Sequence, residues 1–272
     1  MSAPPASVIV LTRDTRELTL HCLASFAPEV DRLGWQIIVV DNASSDGTAG
    51  AIRARFPFVE VVGGEHNLGF AGGNNLGLRQ AGGDAVLLVN SDVSAAAGTL
   101  QALAHELAAR PDLGVISAGL RTAAGDAQPF AFGDDPTLAY LLRRGARALA
   151  RRGPLHDWDV DRPVETGWVS GACMGVRRAA IERVGLLDER FALYFEDVDW
   201  CLRIRRAGWK VSYDPRFPVT HLGGRSLPER RVADRLYCQS LVAFYAKHYG
   251  PLRTVILRCL LAPYRILIAF RR

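Results

Sequence analysis

Apolar runs typical of buried strands alternate with helical segments through the first 120 residues, and this alternation constrains the fold more than any other feature. The strand-like runs, rich in β-branched residues, lie at 7–12, 35–40, 59–62, 85–89 and 114–117. Because these runs are apolar on both faces, they indicate parallel strands covered by helices. Helices are expected at 15–26, at 48–55, up to about residue 81, and from a cap at Ser94 to Arg110. Short connections join the elements, so the sequence predicts a doubly wound α/β unit.

Polar side chains follow several predicted strands at their carboxyl ends, the edge at which ligands bind in sheets of this kind. They are Asp14, Asp41, Asn42 and the triplet Asn90-Ser91-Asp92. One aspartate after a strand is most often a turn or cap residue. Several acids and glycines that converge on one edge instead favour a pocket for a sugar and a phosphate.

A glycine-rich segment at 67–77 follows the third predicted strand and leads into a helix. It contains neither GxGxxG nor GxxxxGK[ST], so it does not favour a dinucleotide site or a P-loop. One interpretation is a flexible turn and helix start. The other is a segment whose backbone lies close to a ligand phosphate. The residues assigned to ligand binding in this second interpretation are Asn67, Gly69, Gly72 and Asn74.

Asp92 offers a hard oxygen ligand for Mg²⁺ or Mn²⁺ bridging a diphosphate. One carboxylate provides too few ligands for a metal site, and His221 is the best candidate for a second ligand. It follows a strand-like run at 209–213 and precedes two glycines, outside any amphipathic pattern. A lone histidine is usually structural, so a metal role for His221 is the less common alternative.

Residues 120–165 interrupt the alternation of strands and helices. A basic amphipathic stretch at 136–152, broken by Gly145, suits a solvated helix, a membrane-facing helix or a lid on the acceptor side. A small-residue strand is expected at 169–176, where Gly171 and Ala172 would allow a ligand to approach the backbone closely. A short helix at 178–184 follows.

Three acids open a helix expected over 196–207. Asp199 and Arg203 form an i,i+4 pair with the acid first, which gives Asp199 a structural explanation. Asp197 has no cation at the corresponding positions. A carboxylate at a helix start, without a local partner and beside aromatic residues, is a candidate general base. Glu196 is also unpaired locally and remains a rival.

Six motifs occur in a fixed order along the chain. They are DNASSDGT (41–48), NLGFAGGNNLG (67–77), LLVNSD (87–92), VSGACMGVRR (169–178), GLLDERFALYFEDVDWCLRIRRAGW (185–209) and HLGGRS (221–226). Taken together, they resemble the inverting family 2 glycosyltransferases with a GT-A fold, and most closely the bacterial rhamnosyltransferase-like branch. The resemblance runs from Ser7 to about Ser226.

The resemblance implies an enzyme that moves a sugar from a nucleotide-diphospho-sugar to a hydroxyl of a cell-envelope glycan or lipid-linked acceptor. The lead donor is dTDP-rhamnose, and the implied cofactor is Mg²⁺ or Mn²⁺. The implied fold is a doubly wound, mostly parallel sheet with helices on both faces.

The resemblance also assigns roles to individual residues. The implied nucleoside contacts are Asp41, Thr12 and Asp14. Asn90 and Asp92 stand at the family's DxD-like motif, with Asp92 as metal ligand and His221 joining the metal or diphosphate site. Asp197 is the implied base. Two positions depart from the family pattern: Arg13-Asp14 replaces a frequent Tyr-Asn, and Ser91 replaces a proline.

Charge is distributed unevenly between the body and the C-terminal part. Residues 227–272 carry a net charge of +7 and residues 1–226 carry −2. We therefore expect a glycosyltransferase domain at 1–226, divided into a nucleotide-sugar half (1–120) and an acceptor and catalytic half (121–226), and a basic helical extension at 227–272. A near-neutral body argues against nucleic-acid binding, and a basic tail favours an anionic surface as its partner.

The segment 251–272 is apolar but is interrupted by arginines and by Pro263, which is expected to break the helix. Since no run of about 20 apolar residues remains, the pattern favours a segment lying in the membrane interface over one that spans it. The alternative is a helix packed on the protein's own core or on a homo-oligomer partner. Scattered cysteines and an N-terminus without a basic n-region favour a cytoplasmic protein, peripheral on the inner face of the cell membrane.

Two other functions remain open at the level of sequence. A sugar-1-phosphate nucleotidyltransferase would share the α/β sheet and the metal, but SVIVLTRDT at 7–15 lacks the glycine-rich signature of such enzymes. A non-catalytic glycan- or lipid-binding protein on the same scaffold would not need Asp92, Asp197 and His221.

Overall fold

The computed structural model describes residues 5–191, 193–223 and 230–270. The strands are β1 (Ala6–Thr12), β2 (Gln36–Asn42), β3 (Glu60–Gly64), β4 (Ala85–Asn90), β5 (Val93–Ala95), β6 (Leu113–Arg121), β7 (Phe132–Gly133), β8 (Val164–Glu165), β9 (Trp168–Val169), β10 (Cys173–Arg177) and β11 (Lys210–His221). The helices are α1 (Arg16–Arg32), α2 (Thr48–Arg55), α3 (Gly69–Gln80), α4 (Thr99–Ala109), α5 (Leu138–Leu149), α6 (Arg178–Val184), α7 (Glu196–Arg206), α8 (Arg230–His248) and α9 (Gly250–Phe270).

The central sheet has the order β3-β2-β1-β4-β10-β6-β11-β5, and β8 pairs with β11. Strands β1 to β4 pair in parallel, as do β6 and β11. Strand β10 is antiparallel to both of its neighbours, β4 and β6. The doubly wound α/β prediction is therefore confirmed, and the inverted strand places the residues before Cys173 beside the carboxyl end of β4.

Strand β11 ends at His221, the residue predicted to be a second metal ligand. The strand-like run predicted at 209–213 continues to His221, because β11 pairs with β6 through a register shift between Asp214 and Pro218. Its last residues pair with β5, with His221 opposite Val93. Ser94 therefore lies in a strand, and the prediction that it caps the following helix is wrong; α4 begins at Thr99.

The glycine-rich segment is mostly helix: the expected helix start is confirmed, but the helix already begins at Gly69, so little of 67–77 is a turn. Helix α3 begins at Gly69 and packs closely on the sheet. A Cβ at Gly73 would lie 2.4 Å from Leu11, and a Cβ at Gly77 would lie 2.6 Å from Ile9. These two glycines thus serve helix–sheet contact.

The C-terminal helices pack against the beginning of α7 through a second apolar cluster, separate from the core around the sheet. Its buried members are Phe191, Phe195, Val198, Leu202, Leu241, Phe244, Tyr245 and Leu257. Helix α9 continues through Pro263, so the prediction that this proline breaks the helix is wrong. None of the helices in the described ranges combines the length and apolar character needed to cross a bilayer. The expected boundary between 226 and 227 lies outside the described residues.

Candidate active site

The loops after β1 and β2 are joined by the acids predicted to contact a nucleoside. Asp14 has a left-handed backbone (φ 48°), and its Oδ1 accepts hydrogen bonds from the backbone N–H and the hydroxyl of Ser45 at 2.7 and 3.1 Å. Asp41 accepts the N–H of Ser44 at 2.8 Å and so closes its own turn. Asp14 therefore holds the two loops together at the carboxyl edge of the sheet, and Asp41 fixes the turn after β2.

Thr12 is buried beneath this edge. Its hydroxyl lies 2.7 Å from the Thr19 hydroxyl and 3.0 Å from the Thr15 hydroxyl. Thr15 in turn lies 3.2 Å from the hydroxyl of Ser91. Through this network the end of β1 is connected to the residues that follow β4.

Asn42 organises the residues that lead into α3, a role that the sequence did not reveal. Its amide donates to Asn67 Oδ1 at 2.8 Å, and its Oδ1 accepts the N–H of Leu68 at 2.7 Å. Asn67 Oδ1 also accepts the N–H of Gly69 at 2.9 Å. The loop before α3 is therefore fixed by two asparagines.

Two further residues predicted to bind the nucleotide-sugar lie inside α3. Asn74 is buried and donates to the carbonyl of Phe70 at 3.0 Å. Gly72 allows close packing, since a Cβ there would lie 3.0 Å from the Leu68 Cβ. The Asn74 amide and the missing side chain of Gly72 therefore contribute to hydrogen bonding and packing within α3.

Asn90, Asp92 and His221 come together at the end of β4, as the metal hypothesis requires. His221 Nε2 lies 3.2 Å from Asp92 Oδ1 and 3.4 Å from the Asn90 amide. The pairing of β5 with β11 produces this contact. Gln128, which the sequence did not single out, lies 2.8 Å from His221 Nδ1 through its Oε1.

This donor set fits a divalent cation that shares its coordination with a diphosphate. Gln128 Oε1 accepts from Nδ1 of His221 and so orients the imidazole, with Nε2 facing Asp92 and the Asn90 amide. Among the described residues no group of three His, Cys, Asp or Glu side chains is placed to hold a metal ion. Asp92 and His221 are therefore the two ligands that the described residues offer at this edge, and Mg²⁺ and Mn²⁺ commonly take their other ligands from substrate phosphates and water.

Asp92 is held in its charged form by its surroundings. Burial opposes the charge, but the hydrogen bond and positive charge of His221, with backbone N–H groups including that of Gly223, outweigh burial. The pKa of Asp92 consequently lies below its usual value. An ionised carboxylate is the form that binds a metal cation.

The acids at the start of α7 have different partners. Asp199 is fully buried and pairs with Arg203 at 2.8 Å, which confirms the predicted ion pair. Lys247 and His248 of α8 also reach Asp199, each at 2.6 Å. Asp197 has no such cation within the part of the chain that the structure describes. Asp199 therefore anchors α8 to α7, and Asp197 remains available for chemistry.

Asp197 is better exposed than its rival Glu196. Asp197 is half-buried, whereas Glu196 is buried and its Oε2 has no hydrogen-bond partner among the described residues. Burial, and then the charge of Asp197, raise the pKa of Glu196 well above its usual value. Burial also raises the pKa of Asp197, although N–H groups of Val198 and Gly171 oppose this. A raised pKa makes Asp197 a stronger base than an ordinary aspartate.

A strained turn immediately precedes Glu196 and Asp197 in the chain. Tyr194 and Phe195 both have left-handed backbones, with φ of 65° and 71°, which is costly for aromatic residues. Helix α8 holds the turn in place. Ser240 donates to the carbonyl of Leu193 at 2.8 Å, and the Tyr237 ring lies 6.0 and 5.2 Å from the rings of Tyr194 and Phe195.

Gly171 and Ala172 connect the two halves of the site. The N–H of Gly171 donates to Asp197 Oδ2 at 3.2 Å, and the carbonyl of Ala172 accepts the N–H of Asn90 at 2.8 Å. Because Asn90 also contacts His221, the carboxylate at the start of α7 and the Asp92–His221 pair belong to one continuous cluster.

Comparison with known proteins identifies similar sequences. The sequence model of the family described as glycosyl transferase family 2 matches residues 7–185. An N-acetylglucosaminyl-diphospho-decaprenol L-rhamnosyltransferase of Mycobacterium tuberculosis is 33% identical over 207 residues, which cover 68% of this chain and 66% of that protein. The chain thus spans just under two thirds of that relative's length. A low-salt glycan biosynthesis hexosyltransferase of Haloferax volcanii is 27% identical over 180 residues, covering 63% of this chain and 53% of that protein.

Solved structures show the same fold. A mannosyltransferase from Pyrobaculum calidifontis in complex with GDP-Man and Mn²⁺ superposes with a TM-score of 0.63 at 21% identity, covering 99% of this chain and 74% of that one. TarS from S. aureus (residues 1–349) gives a TM-score of 0.58 at 18% identity, covering 89% of this chain and 72% of that one. At these identities the likeness establishes the fold.

Proposed function

Because the chain belongs to glycosyl transferase family 2, we propose that it moves a sugar from a nucleotide-diphospho-sugar to a hydroxyl of a cell-envelope glycan or lipid-linked acceptor. One observation carries the proposal. A half-buried carboxylate with a raised pKa, Asp197, is linked through Gly171 and Ala172 to the Asp92–His221 pair. The relative named for L-rhamnose transfer to N-acetylglucosaminyl-diphospho-decaprenol favours a rhamnose donor and a diphosphate-linked lipid acceptor.

We propose an inverting mechanism with Asp197 as the general base. Its carboxylate takes the proton of the acceptor hydroxyl, and the resulting oxygen attacks the anomeric carbon on the face opposite the departing diphosphate. Backbone N–H groups of Val198 and Gly171 orient the carboxylate for this transfer. Asp92 and His221 would hold Mg²⁺ or Mn²⁺, which when bound supplies positive charge to the diphosphate leaving group.

The first test measures turnover directly. The purified chain is expected to release free nucleoside diphosphate from a nucleotide sugar, dTDP-rhamnose being the first donor of the panel, and to do so faster when a lipid extract supplies acceptor. A nucleotidyltransferase would instead release pyrophosphate from a nucleoside triphosphate and a sugar phosphate. A non-catalytic binding protein would release neither product. Release of pyrophosphate alone, or no release with any donor, would overturn the proposal.

We further propose that α9 rests on an anionic membrane surface, which would place the enzyme beside a lipid-linked acceptor on the inner face of the cell membrane. One side of α9 packs on the protein through Thr254 and Leu257, which are buried. At about 100° per residue, the opposite side is also apolar. The exposed residues on that side are Leu252, Val255, Ile256 and Leu260. Arg253 and Arg258 flank it, the arrangement of an interfacial helix.

Liposome retention tests this membrane contact. The protein is expected to co-sediment with vesicles containing phosphatidylglycerol but not with phosphatidylcholine vesicles, and added salt should weaken retention because charges are screened. Changing Leu252, Ile256 and Leu260 together to serine should abolish it. Deletion of 251–272 is a poorer test, since it also removes buried Leu257.

Phe58→Ser, an exposed apolar position on another part of the surface, is the matched control and should leave retention unchanged. Equal retention of the triple variant would contradict the membrane contact. Loss of a dimer by the triple variant in size-exclusion chromatography would instead identify the apolar side of α9 as an oligomer interface.

A further inference from the structure

A continuous strip of aromatic side chains and one arginine leads away from the catalytic carboxylates. Its members in spatial order are Tyr194, Tyr237, Arg144, Phe130 and Trp158, and we call it the aromatic strip. The rings of Tyr194 and Tyr237 lie 6.0 Å apart, and those of Phe130 and Trp158 lie 5.0 Å apart. The Arg144 guanidinium connects the two pairs, at 5.8 Å from both the Tyr237 and Phe130 ring centroids.

Separate segments of the chain contribute to the aromatic strip. Arg144 lies on α5, Tyr237 on α8, and Phe130 in the connection between β6 and β7. Phe130 has a left-handed backbone (φ 62°) and is 58% exposed. A large aromatic ring held towards solvent in a costly conformation has no explanation in the packing of the core.

Arg144 keeps most of its donors available. Its Nη1 donates to the Tyr237 hydroxyl at 3.1 Å. The structure pairs it with no carboxylate within the described ranges. It lies between two rings, and the planar fork of a guanidinium suits a bidentate contact with an anion. Phosphate groups suit this geometry.

The aromatic strip begins at the turn that immediately precedes the proposed base. Tyr194 belongs to the strained turn and lies three residues before Asp197, and Tyr237 contacts the same turn. A substrate lying along the strip would therefore present its near end to the carboxylate that accepts the proton. The nucleoside-side loops after β1 and β2 belong to other elements, so the strip suits the acceptor.

We propose that the aromatic strip is the acceptor subsite and that it binds a sugar linked through a diphosphate to a lipid. The aromatic rings near the base would pack against the apolar face of the acceptor sugar, as aromatic side chains commonly do in ligand pockets. The Arg144 guanidinium would pair with the diphosphate. This assignment rests on the proposed transfer reaction, and it names the residues of this chain that select the acceptor.

Binding without donor tests the subsite separately from turnover. The probe is N-acetylglucosaminyl diphosphate joined to a short prenyl chain, and its comparison ligand has the same sugar and chain without the diphosphate. Calorimetry with the full chain is expected to show that Arg144→Ala lowers the affinity for the probe by about tenfold or more. The same change should leave the comparison ligand and dTDP within about twofold, because neither depends on Arg144 for a phosphate contact.

Arg143→Ala is the matched control, since it removes the same charge from the neighbouring exposed position of α5. It should leave probe binding unchanged. Phe130→Ala should weaken both ligands, because ring packing does not require the diphosphate. Equal losses in Arg143→Ala and Arg144→Ala, or no binding of the probe by the unaltered protein, would overturn the subsite. Normal turnover of dTDP-rhamnose by the Arg144→Ala protein would overturn the proposed subsite but would leave the proposed transfer reaction unaffected.

Discussion

Asp197→Asn is expected to lower kcat by about 100-fold or more while leaving donor binding within about twofold. Asparagine keeps the size of the side chain, and its one amide oxygen can still accept the N–H of Val198, which donates to Oδ1 of Asp197 at 2.8 Å. Only the longer hydrogen bond from Gly171 to Oδ2 is lost, so the local structure should survive. It cannot take a proton from the acceptor hydroxyl. Nucleoside-diphosphate release under saturating substrates measures kcat, and calorimetry with dTDP measures donor binding.

Glu196→Gln provides the comparison. Glu196 is buried and its raised pKa favours the protonated form, so an uncharged isostere should be tolerated at that position. We expect a much smaller loss of kcat than in Asp197→Asn. If Asp197→Asn retains near-normal turnover and Glu196→Gln is inactive, Glu196 is the base.

The pH profile of the unaltered protein gives a second readout of the same residue. A base must be deprotonated, so kcat should fall as pH decreases through the pKa of Asp197. Burial raises that pKa, and the acid limb should therefore lie above the ordinary aspartate range. Asp197→Asn should remove this limb from any residual activity.

Much of the fold followed from local pattern in the sequence. The runs at 7–12 and 85–89 are apolar on both faces, as expected of strands in a sheet covered by helices on both sides, and the strands formed there. The Asp199–Arg203 pair was predictable because helical spacing alone determines it. The six ordered motifs identified family 2, and the family match confirms it.

Features that depend on distant pairing were not predictable. Ser94 looked like a helix cap, but β5 pairs with the end of β11, a strand more than 100 residues later. The partners of Asp199 on α8 are 48 and 49 residues away, and no local pattern relates them. Gln128 could not be identified from the sequence, because its contact is with His221, which lies 93 residues later in the chain. Helix α3 was underestimated because glycines disfavour helix locally, whereas close contact with the sheet requires them.

Asp92→Ala is expected to abolish metal-dependent donor binding, with a loss of at least about 100-fold, because removing a direct ligand should cost at least as much as the 10–100-fold typical of outer partners. Asp92 is the carboxylate of the pair, and its lowered pKa keeps it charged at neutral pH. Calorimetry with dTDP in Mg²⁺ or Mn²⁺ measures the effect without turnover. EDTA should give the same loss in the unaltered protein, and added metal should reverse it.

His221→Ala should reduce the same binding less, since Asp92 and the diphosphate would still provide oxygen ligands. Asp112→Ala is the matched control, because Asp112 pairs with Arg110 and Lys210 on the surface and should not affect binding of the metal or the donor.

Three outcomes would separate the alternatives. Full donor binding and activity in EDTA would exclude the metal role of the Asp92–His221 pair. Equal losses in Asp92→Ala and Asp112→Ala would point to a general charge effect. A loss in Asp92→Ala that is the same with and without metal would mean that the carboxylate orders its surroundings instead of holding a cation, through the hydrogen bond that it accepts from the N–H of Gly223.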